Sequence, residues 1–384
     1  MSDELLEYKT VGIAGGGQLA LMMIPPAKKF GFQVFILDPD DGCASASAAD
    51  KLIIGDFSSA EAFYKLGEMS DVISFEIEKV SSDLLRKLEK KGKVVRPAPS
   101  TLRKIKDKLT QKKELTQLGV PVTPFKELDN REELVNRIPC VWKARKAGYD
   151  GKGVMVLTND SQVQKVPKSA GYTEELVELD YELAILIARN SQGQVAIYPT
   201  AEIIMNPGQN VMDTVVVPAA APEYLQKECE RIARKLVENF NYVGLMAVEF
   251  FVDSKGRLLV NEISPRPHNS GHYTIEACET SQFEQHIRAI TDQVLGPVGL
   301  ASAAATFNIL GEPKSFGKPI FTGIETFCDD ETVYFHDYCK STVRPGRKMG
   351  HVTVVGEGRE VVLEKARKIQ QLVRAEGADE RRDS

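Results

Sequence analysis

The sequence predicts an α/β region built on a parallel sheet, followed by an α+β region of mostly antiparallel strands. Three observations carry this prediction. Short apolar runs alternate with helical patterns over the first hundred residues, as βαβ units do. Longer apolar strands and one long helix, Glu223 to Phe240, follow. Two adjacent apolar runs, Gly244 to Val252 and Arg257 to Ile263, flank Asp253-Ser254-Lys255-Gly256 and read as a hairpin.

In the first region, strands are expected at Val11 to Ala14, Phe32 to Leu37, Lys51 to Ile54 and Asp71 to Phe75, with helices near Ser59–Leu66 and Ser82–Lys91. Ligands bind beyond the carboxyl ends of such strands. Those ends carry Gly15–Gly17, Asp38, Glu76 and Glu78. Pro25-Pro26 falls inside the first helix, which is expected to start late or kink, because proline lacks the N–H and crowds the preceding turn.

From Ser100, a possible cap, a basic helix is expected to about Leu118. Strands follow at Val141 to Ala144, Val154 to Leu157, Glu182 to Ala188, Val195 to Ile204 and Val211 to Val217, then the helix and hairpin above. The last stretch has strands near Thr306–Leu310, Val333–Asp337 and His351–Val355, and a helix over Glu357 to Arg374. A polar tail from residue 376 is expected to be disordered. The implied divisions are residues 1–99, 100–295, 296–375 and the tail 376–384.

Hydrophobic residues make up 42% and charged residues 27% of the chain, as in an ordinary soluble protein. The net charge of -5 argues against nucleic acid as the main partner. No apolar run approaches the ~20 residues that span a bilayer, and the acidic start MSDELLEYKT is no secretory signal. The six cysteines are scattered without zinc spacing and read as reduced thiols of a cytoplasmic protein.

Five motifs could carry chemistry. Gly15-Gly16-Gly17-Gln18, after a strand, could bring backbone N–H groups to a phosphate; a tight turn without a ligand fits it equally well. Lys143 followed by Gly148-Tyr149-Asp150-Gly151-Lys152-Gly153 suits a triphosphate under a closing loop, although a surface hairpin has the same pattern. Lys108 is a further cation, in a lysine run that also suits a solvated helix face. Glu249 and Glu262 lie in apolar strands, where an unpaired carboxylate is costly. With Asn261 they offer oxygens suited to Mg²⁺; an ion pair is the plainer alternative. Ser264-Pro265-Arg266-Pro267-His268-Asn269-Ser270-Gly271-His272-Tyr273 packs donors densely and suits an anion. Lys340 and Arg344-Pro345-Gly346-Arg347 suit a phosphate monoester, or a solvated basic hairpin.

Taken together, Lys143 with GYDGKG, Glu249, the Asn261-Glu262 pair and the preceding parallel sheet resemble the ATP-grasp superfamily. Within it, NEISPRPHNSGHYT and VRPGRKMGH, with GGGQL, ILDPD, SFEIEKV and KLTQK in order, are similar to the N5-carboxyaminoimidazole ribonucleotide synthetase family, from about Val11 to His351. The resemblance implies an ATP-grasp fold with an N-terminal Rossmann-like parallel-sheet domain and a small C-terminal β-rich domain. It implies a homodimeric ligase of purine biosynthesis that spends ATP to carboxylate aminoimidazole ribonucleotide with bicarbonate, through carboxyphosphate.

Residue by residue, the resemblance implies that Lys108 and Lys143 hold ATP phosphates while Gly148, Tyr149, Asp150, Gly151, Lys152, Gly153 and Val154 close above them. Glu178 would edge the adenine and Glu182 the ribose. Glu249 and Glu262 would hold Mg²⁺ beside Asn261. Arg266, His268 and Asn269 would hold bicarbonate, and Gln18, Glu76, Tyr149, Asp150, Lys340 and Arg347 the ribonucleotide. Ala20, Leu21, Met205 and a short Glu178–Glu182 stretch depart from the family pattern. A formate-dependent glycinamide ribonucleotide formyltransferase is the neighbouring alternative, against which the anion loop and the VRPGRK turn favour bicarbonate and the aminoimidazole; a nucleotide-binding homologue with reduced activity is the second, kept open by the departures.

Overall fold

The computed structural model describes residues 8–146, 153–205 and 212–378. Its first sheet is parallel, in the spatial order Lys51–Ile54, Gln33–Asp38, Thr10–Ala14, Val72–Phe75, Val94–Val95. Val11, Ile13, Val34 and Ile36 are fully buried, because helices cover both faces. The strand order reverses between Thr10–Ala14 and Val72–Phe75, which opens a crevice at Gly15–Gly17 and Glu76.

The first helix is Gln18–Lys29, so the late start that was one of two expectations does not occur. The helix begins directly after Gly17, with Pro25 and Pro26 inside it. The prolines cannot serve the carbonyls one turn back. Burial of Leu19, Ala20, Met23, Ile24 and Ala27 against the sheet holds the helix nonetheless. Ala20, a departure from the family pattern, is thus a core residue.

The expected basic helix from Ser100 to Leu118 is two helices, Pro99–Ile105 and Lys108–Gln117. Asp107 breaks it: its carboxylate accepts from the Thr110 N–H at 3.0 Å and caps the second helix. A small antiparallel sheet follows, ordered Phe125–Glu127, Gly171–Glu175, Cys140–Ala144, Val154–Leu157. Its first two strands were not read from the sequence.

The largest sheet runs Leu258–Ser264, Gly244–Asp253, Leu179–Arg189, Ala201–Met205, Met212–Val217, Ala303–Leu310, Lys348–Gly356, Val333–Asp337. The expected Val195 to Ile204 strand is split into Val195–Ile197 and Ala201–Met205. Between them Pro199 has no N–H for a ladder, and the Tyr198 hydroxyl donates to the Thr280 carbonyl at 3.0 Å. The helix Glu223–Asn239 covers one face through Leu225, Cys229, Ile232, Ala233 and Leu236. The C-terminal strands extend this sheet through the pairing of Met212–Val217 with Ala303–Leu310.

The last helix is Arg359–Gln370, shorter than expected at both ends. After it, Arg374–Gly377 pairs with Pro319–Thr322. Glu376 and Gly377, assigned to a disordered tail from their polarity, are therefore in a strand. Backbone pairing around fully buried Ala375 holds them. Residues 379–384 of that tail lie outside the described residues.

Candidate active site

The hairpin of Gly244–Asp253 and Leu258–Ser264 builds the centre of the site. Asp253 closes its turn, accepting at Oδ1 from the N–H groups of Lys255 and Arg257 at 3.0 and 2.8 Å. Glu249 and Glu262 are direct cross-strand partners. Between this pair and Phe250–Val260 the register shifts, leaving Asn261 as the extra residue of a bulge. A bulge re-aims side chains that would otherwise alternate faces. Asn261 and Glu262 accordingly both meet lysines: Lys143 Nζ donates to Asn261 Oδ1 at 3.0 Å, and Lys108 Nζ lies 2.6 Å from Glu262 Oε2.

The electrostatics follow from burial. Glu249 is pushed well above the usual carboxylate range, first by burial and then by the charge of Glu262. Burial acts on Glu262 too, but Lys108 overrides it and holds that carboxyl low. Glu182, on the neighbouring Leu179–Arg189 strand, is raised by burial to about 7. Two carboxylates and an amide oxygen are donors suited to a hard oxygen-seeking cation, although Lys108 and Lys143 now hold two of the three. Among the described residues no three His, Cys, Asp or Glu side chains form a ready-made metal site, so any Mg²⁺ would need ligand oxygens from elsewhere, as nucleotide phosphates provide.

Two residues of the centre were missed in the sequence. Glu174 is almost wholly buried and joins Lys112 at 3.1 Å to Lys143 at 2.9 Å, while the Tyr172 hydroxyl donates to it at 3.0 Å. Burial pushes Lys112 down to about 8. The pair Lys108 and Lys112 sits one turn apart on one helix face, and that spacing was the available signal. The run is therefore not one solvated face: Lys108 and Lys112 turn inward, while Lys113 lies outward and pairs with exposed Glu127.

The anion loop follows Glu262. Arg266 Nη2 donates to Glu78 Oε2 at 3.0 Å, with Nε 2.9 Å from Oε1, an ion pair that ties the loop to the turn after the first sheet's Val72–Phe75 strand. His268 Nδ1 lies 3.5 Å from Glu249 Oε1 and 2.9 Å from Ser270 Oγ. Asn269 Oδ1 lies 3.0 Å from His272 Nε2.

At the crevice of the first sheet, the glycine loop has the form of a tight turn, one of the two readings its sequence left open. Its N–H groups are taken within the protein: Gly16 donates to Asp38 at 2.7 Å and Gly17 to Glu76 at 2.9 Å. A Cβ on Gly17 would lie 2.6 Å from Glu76 Oε1, so the glycines admit Glu76. Burial raises Glu76, against the Gly17 N–H and the charges of Arg266 and Lys340. Gln18 opens the adjoining helix. Lys340 thus acts on the first sheet's crevice from the far end of the chain. Arg347 donates to the Thr342 carbonyl at 2.7 Å and feels the charge of Asp40.

Other sequence candidates are more peripheral or not described. Glu178 is exposed and accepts from Ser254 Oγ at 3.1 Å. Gly153 accepts at its carbonyl from the Ala144 N–H, and Val154 pairs with Lys143. Gly148, Tyr149, Asp150, Gly151 and Lys152 lie outside the described residues.

The comparisons agree with this geometry. Residues 8–106 match the ribonucleotide synthetase preATP-grasp domain, 113–283 the ATP-grasp domain, and 304–365 the phosphoribosylaminoimidazole carboxylase C-terminal domain. Fold and site together define an ATP-grasp ligase. An N5-carboxyaminoimidazole ribonucleotide synthase of Synechococcus elongatus is 39% identical over 90% of this chain and 89% of its own length. The crystal structure of the synthetase from Thermotoga maritima superposes with a TM-score of 0.89 at 41% identity, over 96% of this chain and 100% of that one. An Aspergillus clavatus synthase solved with ADP and aminoimidazole ribonucleotide gives 0.85 at 27% identity, over 96% and 100%. The chain belongs to the N5-carboxyaminoimidazole ribonucleotide synthase family.

Proposed function

We propose that this chain uses ATP to carboxylate the exocyclic amine of 5-aminoimidazole ribonucleotide with bicarbonate, through carboxyphosphate. The observation that carries the reading is the convergence of two charge systems on one loop. Lys108 and Lys143 meet Glu262 and Asn261 at the strand that leads into the Arg266–Asn269 loop. Arg266, within that loop, bonds Glu78, two residues from Glu76. A phosphoryl donor and the amine would then meet at this loop.

In this reading Lys108 and Lys143 exchange their carboxylate and amide partners for nucleotide phosphates. Glu249, Glu262 and Asn261 would hold Mg²⁺, which offsets charge on the transferring phosphoryl group. Arg266, His268 and Asn269 hold bicarbonate and its phosphorylated form. Glu182 faces the ribose, and Glu178 and its neighbours border the adenine. The 148–154 segment shields the labile anhydride from water, and Tyr149 and Asp150 contact the ribonucleotide. Glu76 and Gln18 line its pocket, with Lys340 and Arg347 at its phosphate. A cytoplasmic homodimer is the assembly proposed; no helix of the described residues is long and apolar enough to cross a membrane.

The direct test is ADP release with each substrate omitted in turn. Release that needs both bicarbonate and aminoimidazole ribonucleotide supports the reading; release indifferent to either contradicts it. Arg347→Ala probes the far phosphate contact. Losing a charge-assisted hydrogen bond of ~1.5–3 kcal/mol raises the Michaelis constant for the ribonucleotide about ten- to a hundredfold. The constant for ATP stays nearly unchanged. Steady-state kinetics with each substrate varied measures both, and a shift in the ATP constant alone would remove Arg347 from the ribonucleotide pocket.

A further inference from the structure

We propose that Gln282 and His272 are positioning residues that fix which end of the Asn269 amide faces the bound anion. The proposal deepens the reading above and rests on it for the role of Asn269. Gln282 is fully buried at the start of the helix Gln282–Ile290. Its side chain meets the backbone of His268 twice. The His268 N–H can only donate, and Gln282 Oε1 accepts it at 2.9 Å. The His268 carbonyl can only accept, and Gln282 Nε2 donates to it at 2.7 Å. Backbone chemistry alone therefore fixes which end of the Gln282 amide is oxygen.

The next two bonds inherit that direction. The same Gln282 Nε2 lies 3.3 Å from His272 Nδ1. Facing a donor, Nδ1 must be the unprotonated nitrogen. A neutral imidazole then carries its proton on Nε2. His272 Nε2 lies 3.0 Å from Asn269 Oδ1, which accepts that proton. The Asn269 amide is thereby turned so that its NH₂ is left over, and among the described residues it has no protein acceptor. Two N–H donors are what a bicarbonate or carboxyphosphate oxygen needs. The opposite rotamer would present an oxygen and repel the anion.

Packing holds the His272 ring without choosing its proton. His351 stacks on it at 4.5 Å and 23°, and Phe283 lies 5.9 Å from it. Gly271 makes room for the relay: a Cβ there would lie 2.6 Å from Gln282 Oε1. Protonating His272 would set an N–H against the Gln282 NH₂. Burial and the nearby charges of Lys348, His268 and His336 also oppose it.

The test uses the full chain with nitrogen-15 histidine, His272 being assigned by its loss in His272→Phe. Long-range proton–nitrogen spectra should show His272 protonated at Nε2 only, unchanged from about pH 6 to 8. Gln282→Glu replaces the donor by an acceptor and should put a proton on Nδ1. In both variants the Michaelis constant for bicarbonate should rise, or kcat fall, about ten- to a hundredfold. The constant for ATP should stay within about twofold. A native proton on Nδ1, a ring that titrates in that range, or normal bicarbonate kinetics in His272→Phe overturns the proposal. Should Gln282→Glu not fold, the native spectrum and His272→Phe decide. The spectrum is recorded without substrates, so it stands apart from the carboxylation assay: ADP release indifferent to bicarbonate would sink the functional reading and leave the tautomer result intact.

Discussion

Glu262→Gln leaves a folded protein whose turnover drops by about 10³-fold or more. The carboxylate sits at the meeting point of the site. It faces Glu249 across the hairpin, takes Lys108 at 2.6 Å, and neighbours Asn261 in the bulge. The amide keeps the shape and loses the charge. Lys108 then lacks its counter-ion, and Glu249, no longer opposed by Glu262, ionises more easily. Neither change restores a paired, doubly charged site for Mg²⁺. The cost to the fold is about 1 kcal/mol, because the Lys108 and Glu262 side chains keep 21% and 30% of their exposure and the pair is partly screened. Circular dichroism and thermal melting check the fold, and coupled ADP release checks turnover. Near-normal ATP hydrolysis in this variant would show that Glu262 does not serve the metal.

His268→Ala loses carboxylation by about 10²-fold while nucleotide affinity hardly changes. The loop survives the truncation, because Gln282 holds the His268 backbone at both its N–H and its carbonyl. What disappears is the imidazole between Glu249 and Ser270. Nucleotide titration and bicarbonate-varied kinetics separate the two effects. Collapse of ATP binding with normal bicarbonate dependence would assign the loop to the nucleotide instead.

How much of this was legible depended on whether the signal was local. The Glu249–Glu262 hairpin could be read because each carboxylate interrupts an apolar strand and Asp253 to Gly256 make a turn. The bulge at Asn261 could not, since it exists only in the register between two strands. The one-turn spacing of Lys108 and Lys112 was a signal for the helix face, but Glu174 escaped because its pairing joins that helix to a distant strand, and no sequence period records such a contact. The burial of Lys112 and Glu174 also inverts the usual expectation for charged residues. Gln282 escaped for a similar reason: an ordinary polar residue at a helix start becomes decisive only when it closes on the backbone of His268. The glycine loop was visible, but its sequence did not decide between a phosphate cradle and a tight turn. Its N–H groups serve Asp38 and Glu76, and its missing side chains admit Glu76. At the other end, the strand of Arg374–Gly377 is held by backbone pairing, which its polar side chains do not advertise.

In the proposed reaction ATP activates bicarbonate before the amine attacks. If the γ-phosphoryl group is transferred to a bicarbonate oxygen, that oxygen bridges carbon and phosphorus. Attack at carbon, or loss of carbon dioxide, then breaks the carbon–oxygen bond and leaves the bridging oxygen on phosphate. Turnover in oxygen-18 bicarbonate, with ATP and aminoimidazole ribonucleotide, therefore reads the order of events. The expected product is inorganic phosphate carrying one labelled oxygen for each ribonucleotide carboxylated. Phosphate without label, formed at the normal rate of carboxylation, would contradict it.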